Sequence, residues 1–358
     1  MRKRSFLRPF SRSSTAGENA PTTVYTDAEQ EAYAAAAREM ALRIGANDKP
    51  VLVGPWQGCV SEELLYWIPF VRWLLEWGAI DPSRVWAISS GGARHWYGDV
   101  AGHYLELRDL YKPGNPPESG VSRFMEGGSN GQDQDDIPQS DLEIVERAMT
   151  DAGVDDIELV HPSHIFHIFK PYREARLPPS YVARLTRHRP LQTDRSGGAF
   201  AELPDDFIAV AFHGTGSFPR VDRNRKFVGE LVRRLSQDAH VVVIDPLPGA
   251  ADDQGFHVEA SSRVYVPDAV FDLDAQTAIV SRARVLVGTH GGFSYLGALS
   301  GTSVIGLYSD PAFSLQHLAL AQQVLRGDGY GNLSVTHVEC IESLLSLPAV
   351  VDQGTGRR

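Results

Sequence analysis

Short, almost continuously apolar runs alternate along this chain with longer stretches of helical period. That alternation constrains the fold more than any other feature. The runs are VLVG (51–54), RVWAISSGG (84–92), IELVHPS (157–163), FIAVAFHG (207–214), HVVVID (240–245), RVYVP (263–267), RVLVGT (284–289), SVIGLY (303–308) and LSVTHV (333–338). Strands so apolar are buried on both faces, as in a parallel sheet with helices on either side. Between them, Thr26-Asp27 opens a helix that runs to Gly45, and SEELLYWIPFVRWLLEWG forms another, kinked at Pro69 and stopped at Gly78. Further helices are expected at 141–152, 181–189, 223–236, 274–283, 292–301 and 313–325. The expected fold is α/β, with two Rossmann-like doubly wound domains facing a cleft.

A chain of 358 residues has room for two such domains. Prolines, glycines and clustered charge between 170 and 205 mark the boundary, giving an N-terminal domain over 26–195 and a C-terminal domain over 196–350. Residues 1–25 read as a disordered basic tail, 113–138 as a mobile loop and 351–358 as a second tail. The net charge of −11 argues against a nucleic-acid partner. Two cysteines, Cys59 and Cys340, cannot make a disulfide framework, and point to a reduced, cytoplasmic chain. The longest apolar stretch, Leu64 to Ile80, is broken by Pro69, Arg72 and Glu76, so no membrane span is expected. The opening MRKRSFLRPFSRSS lacks the apolar stretch of a signal peptide. It is either a solvated tail or a peripheral contact with an anionic membrane.

Two segments carry the expected chemistry of the second domain. In GTHGGFSYLGALSGTSVIGLYSD (288–310) a strand ends on Thr289 and His290, and Gly291-Gly292 lead into a helix. The free N–H groups and dipole of such a helix start suit an anion, here a diphosphate. In FHGTGSFPRVDRNRKF (212–227), Gly214 and Gly216 permit a tight turn, and Arg220 and Lys226 follow as candidate phosphate cations. Arg223 and Arg225 fit a solvated helix face better. No third glycine completes a dinucleotide fingerprint, so no NAD site is read. Asp310, at the end of the next strand, is grouped with the donor-side residues.

In the first domain, Glu62 and Glu63 follow a strand–glycine turn, where α/β folds place functional groups. The competing reading is a helix first turn that favours acids, with Ser61 as its N-cap. All six tryptophans fall within residues 56–96. Trp67, Trp73 and Trp77 are expected in the core, whereas Trp56 and Trp96, beside glycines, are candidates for stacking on a sugar. Arg94, His95 and Asp99 are placed at the same cleft edge. The spacings Asp133, Asp135, Asp136 and Asp272, Asp274 are the DxD-like sets, and no metal or other cofactor is expected.

The pairing of GTGSFPRVDRNRKFVGELVRRL and HVVVID with SRARVLVGTHGGFSYLGALSGTSVIGLYSD resembles the donor domain of GT-B glycosyltransferases, nearest the heptosyltransferase-like branch. It covers about residues 205–310. GPWQGCVSEELLYWIPFVRW is similar to acceptor-domain openings in bacterial polysaccharide glycosyltransferases, with Glu63 closing the motif and Cys59 where an acid is expected. Heptosyltransferases show Asp or Ser before the second glycine and a His within the helix, whereas this chain has Thr289-His290 and Tyr295.

The resemblance implies an inverting, metal-independent transferase moving sugar from a nucleotide-sugar to a glycan, lipid-linked or other hydroxyl acceptor. Glu63 is the first candidate for its base, followed by Glu62, Asp99 and His95. Gly214, Gly216, Arg220, Lys226, Thr289, His290, Gly291, Gly292 and Asp310 would hold the donor, and Trp56, Trp96 and Arg94 the acceptor. The alternatives are a sugar-nucleotide epimerase or hydrolase on the same fold, and a non-catalytic carbohydrate- or nucleotide-binding module.

Overall fold

The computed structural model describes residues 26–110, 137–174, 177–191, 203–244, 256, 258, 260–266 and 272–345. Both tails, the loop expected at 113–138 apart from its last two residues, and the boundary expected at 195 lie outside them.

The described residues form two sheets whose strands are all parallel. The first contains β1 (Val51–Val53), β2 (Val85–Ser89), β3 (His103–Glu106) and β4 (Glu158–Val160), in the order β3-β2-β1-β4. The second contains β5 (Phe207–Ala211), β6 (His240–Val243), β7 (Val264–Tyr265), β8 (Val285–Thr289), β9 (Ser303–Tyr308) and β10 (Leu333–His337), in the order β10-β9-β8-β5-β6-β7. The helices around the first sheet are α1 (Asp27–Gly45), α2 (Val60–Glu62), α3 (Ile68–Gly78), α4 (Gln139–Ala152), α5 (Ser163–Ile168), α6 (Lys170–Arg173) and α7 (Pro179–Arg184). Those of the second are α8 (Asp222–Asp238), α9 (Leu273–Arg282), α10 (Gly292–Leu299), α11 (Leu315–Val324) and α12 (Val338–Leu345).

Each sheet is covered on both faces because alternate strand residues enter different cores. Val51 and Val53 pack with α1 and α3, while Leu52 packs with Ile144 and Val145 of α4. In the second sheet Phe207, Ala209 and Ala211 face α9 and α10, while Ile208 and Val210 face Phe227 and Leu231 of α8. The core around α10 is continuous with that around α3, so the two sheets share one apolar seam.

Local chemistry fixes the helix ends. Thr26 and Glu29 make a reciprocal capping box at the start of α1. α2 runs through a π turn (Glu63–Trp67) into α3, and its N-cap is Cys59, not the expected Ser61. The expected disturbance at Pro69 is real and has a specific remedy. Pro69 has no N–H to offer the Leu65 carbonyl four residues back. His188 Nε2–H donates to that carbonyl instead, at 2.9 Å. The basic helix expected at 181–189 stops at Arg184. Arg187 and Arg189 continue past it to pair with Glu76. Strand β3 and helices α5, α6 and α12 were not expected from the sequence.

Replacing His188 by Phe keeps a ring in place but orphans the Leu65 carbonyl. We expect a loss of about 1–3 kcal/mol, read as a lower urea midpoint with an unchanged denaturant slope.

Candidate functional site between the sheets

In open α/β sheets the crevice for a ligand lies beyond the carboxyl ends of the strands, where the strand order reverses. In the second sheet that point falls between β5 and β8. The two glycine turns singled out in the sequence therefore come together there. Thr289 clips them: its Oγ1 donates to the His213 carbonyl at 3.0 Å and accepts the His213 N–H at 3.1 Å. The turn after β5 also reaches β9, because the Ser217 carbonyl accepts the N–H groups of Ser309 and Asp310. Three strand ends are thus one tied platform, and Thr289 belongs to its construction.

Helix α10 starts on this platform. Gly291, its N-cap, has φ +156° and ψ −149°, a backbone that glycine adopts readily. A Cβ there would meet nothing within 4 Å. Gly292 is the opposite case, since its Cβ would lie 3.0 Å from the Val60 Cβ. The amino end of α10 therefore touches that of α2 across the seam. His290 is buried, with Nε2 3.4 Å from the Tyr295 hydroxyl and its ring edge-on to Phe313.

The expected cations divide in two groups. Arg223 pairs with Glu339 and Glu342, and Arg225 with Asp222. Arg220 is half-buried just before α8, and Lys226 is exposed one turn into it. Gly214 and Gly216 border the same turn, and exposed Asp310 spends Oδ1 on the Ala312 N–H.

The first domain departs from expectation. Glu63 is fully buried, and its Oε1 accepts from Ser89 Oγ at 2.5 Å and Tyr97 Oη at 2.6 Å. Burial and the Glu63 carboxylate push the Tyr97 phenol well above its usual range, so it stays a donor. Glu63 thus ties the helix to β2 and does not face open space. Asp99 is gripped by Arg72 through bonds of 2.7 and 2.8 Å and approached by Arg189, so it too is a structural anchor.

Trp56 and Trp96 are no stacking platforms. Trp56 has no exposed surface and lies parallel to Trp67 and Phe166. Trp96 is buried and donates to Thr277 Oγ1 at 3.0 Å. Trp77, expected inside, is 46% exposed under Arg38. Gly54 and Gly58 beside Trp56 shape a buried turn, whereas Trp96 points inward from a turn whose Gly98 is exposed.

His95 and Arg94 do lie at the cleft edge. His95 Nδ1 is 2.8 Å from Asp274 Oδ2, across the seam. Arg94 lies over the Tyr104 ring, and both border a cavity of about 600 Å³ with Glu106, Asp109 and Asp272. Glu106 caps the Gly91 and Gly92 N–H groups at 3.0 and 2.9 Å. The sequence reading missed it together with β3, and the SSGG turn was the available signal. Also missed was a buried chain at the switch point of the first sheet, between β1 and β4. There Gln57 and His161 both hold Asp141, and His161 Nδ1 accepts the Ser163 N–H, capping α5. Among the described residues no group of three His, Cys, Asp or Glu side chains could hold a metal ion. Asp133, Asp135 and Asp136 lie outside those residues, and Asp272 caps α9. No described helix is long and apolar enough to cross a membrane.

No protein-family model and no curated protein matches the sequence. Solved structures similar to it include a glycosyl transferase family 9 protein from Veillonella parvula DSM 2008, 11% identical with a TM-score of 0.46, the match covering 84% of this chain and 90% of that one. The E. coli ADP-heptose lps heptosyltransferase II is 12% identical with a TM-score of 0.43, over 83% and 98% of the two chains. The E. coli heptosyltransferase WaaC with ADP is 14% identical with a TM-score of 0.41, over 82% and 98%.

Burial lowers the imidazoles of His164, His188 and His213 to about 4. In the unfolded chain they titrate near ~6.5. Between those values the unfolded chain binds protons that the folded chain does not. Their contribution is therefore intact above about pH 6.5 and lost as pH falls toward about 4. We expect the urea midpoint to drop across this window, with an uptake of up to about three protons near pH 5. His213→Asn should reduce that uptake by about one.

Proposed function

We propose that this protein is a glycosyltransferase that binds a nucleotide-sugar at the switch point of its second sheet. The observation that carries the reading is the convergence there of the Gly214–Gly216 and Gly291–Gly292 turns, clipped by Thr289, with the amino end of α10 turned toward the first domain. Such an end stabilises anionic charge through its outward N–H groups and dipole. Arg220, just before α8, and Lys226, one turn into it, add cations.

An acceptor hydroxyl enters from the first domain, attacks the anomeric carbon opposite the diphosphate and gives up its proton to water. The bond from that carbon to the diphosphate oxygen breaks, and its electron pair leaves with the nucleotide. The configuration inverts, and charge on the leaving group falls on fixed donors, which is effective stabilisation. The reading needs no metal and no cofactor beyond the donor, and it sets the enzyme in the cytoplasm with a glycan or lipid-linked acceptor. Heptosyl and hexosyl donors both fit this description.

Thermal unfolding with ADP, GDP, UDP, dTDP and CMP in turn tests the site, because a ligand held at about 100 times its Kd adds about 2.7 kcal/mol. One diphosphate should raise the Tm. A side chain on Gly291 would project into the space beside the turn, so Gly291→Val should remove the shift, while its strain at φ +156° also lowers the Tm of the free protein. Arg220→Ala should also remove the shift. If no nucleotide moves the wild-type Tm, the reading is wrong.

A second measurement concerns charge neutralisation. Transfer should continue in EDTA. Loss on chelation, restored by Mg²⁺ or Mn²⁺, would show that a metal shares the diphosphate.

A further inference from the structure

One buried acid has a bonding deficit that the fold itself does not resolve. Glu62 is 2% exposed, and its Oε1 pairs with Arg173 at 3.0 Å. Its Oε2 is buried and meets no hydrogen-bond donor among the described residues. A carboxylate oxygen left so in a dry interior is costly, and native folds keep such groups where a ligand or water completes them. Arg173 is itself fixed, its guanidinium 4.6 Å above the Phe166 ring, and it is about one third exposed. The pair therefore lies just beneath the surface.

Tyr66, one turn further along the same helix, is 2% exposed, and its hydroxyl makes no well-formed hydrogen bond. Burial, the Tyr172 hydroxyl and the Glu62 charge hold that phenol well above its ordinary range, so it remains protonated. The Tyr172 hydroxyl donates to the Gln316 carbonyl, and its oxygen is placed to accept from Tyr66. Glu62 thus offers an acceptor, and Tyr66 a hydroxyl that donates or accepts. A hydroxyl can donate to the carboxylate and bond the phenol in either sense, whereas an ionised phosphate has no proton to give the carboxylate.

The place matters as much as the chemistry. Glu62 is two residues from Val60, the residue that touches Gly292 at the start of α10. We propose that Glu62 and Tyr66, with Arg173 holding the carboxylate, form a specificity site for one hydroxyl of the sugar on the nucleotide diphosphate. The inference rests on the transferase reading above. It assigns Glu62 to sugar recognition, in place of a choice between Glu62 and Glu63 for proton removal.

Calorimetry with ADP, GDP, UDP and dTDP, and with ADP-glucose, GDP-mannose, UDP-glucose and dTDP-glucose, tests it on the full chain. In the wild type the matching nucleotide-sugar should bind more tightly than its diphosphate. Glu62→Gln should weaken the nucleotide-sugar by about ten- to a hundredfold and leave the diphosphate unchanged. Tyr66→Phe, the milder change, should act in the same direction by about threefold to tenfold, and it covers the case in which Glu62→Gln fails to fold. If both variants keep the wild-type preference, the Oε2 position is filled by buried water only and the proposal is overturned. If no diphosphate or nucleotide-sugar binds the wild type, the transferase reading itself falls and takes this site with it.

Discussion

The two domains are joined by main-chain bonds between the turn after β2 and the start of α9, and the geometry of the site depends on them. The N–H groups of Leu273 and Asp274, at the start of α9, donate to the carbonyls of Gly91 and Gly92 in the first domain at 2.7 and 3.1 Å. Asp274 returns the contact by accepting the His95 N–H, and Trp96 adds its bond to Thr277. A helix start otherwise leaves N–H groups unsatisfied, and here the opposite domain supplies acceptors to Leu273 and Asp274 beside the cap that Asp272 makes on Asp274 and Ala275. Backbone-to-backbone docking fixes distance and orientation more closely than long side chains can. It sets the gap across which Gly292 meets Val60.

Much of this architecture is legible in the sequence because buried parallel strands are written as apolar runs. β1, β5, β8 and β9 fall where those runs fall, and the glycine turns after β5 and β8 mark the switch point. β3 was not legible, since HYLE is an edge strand without a sustained apolar run. The site was read unevenly for a related reason. Main-chain features such as Gly291 and Gly292 follow from turn chemistry, which is local. The fates of Glu62, Glu63, Trp56 and Asp99 depend on what other elements bring to them: Arg173, Tyr97, Phe166 and Arg72. No spacing within the segment encodes those partners.

Glu62 and Glu63 show the point most sharply. Adjacent acids on a helix point about 100° apart, and they do diverge, one toward Arg173 and the other toward Ser89 and Tyr97. The π turn begins at Glu63, where the two directions part. Wider turns of this kind recur at functional sites because they shift the phase of a helix locally.

That turn makes the segment tolerant of one change in length. The π turn spends one more residue than an α-helical path would between Val60 and Pro69. Deleting one residue from Glu63 to Trp67 would let the helix close regularly over the same span, with Pro69 still anchored through the Arg187 N–H on its carbonyl. Val60 would stay against Gly292, and only the residues inside the turn would change phase. A second deletion would find no surplus to absorb it and would rotate everything on the amino side by about 100° and slide it by about 1.5 Å. Relatives of this chain that keep the seam should therefore differ by no more than one residue between Val60 and Pro69.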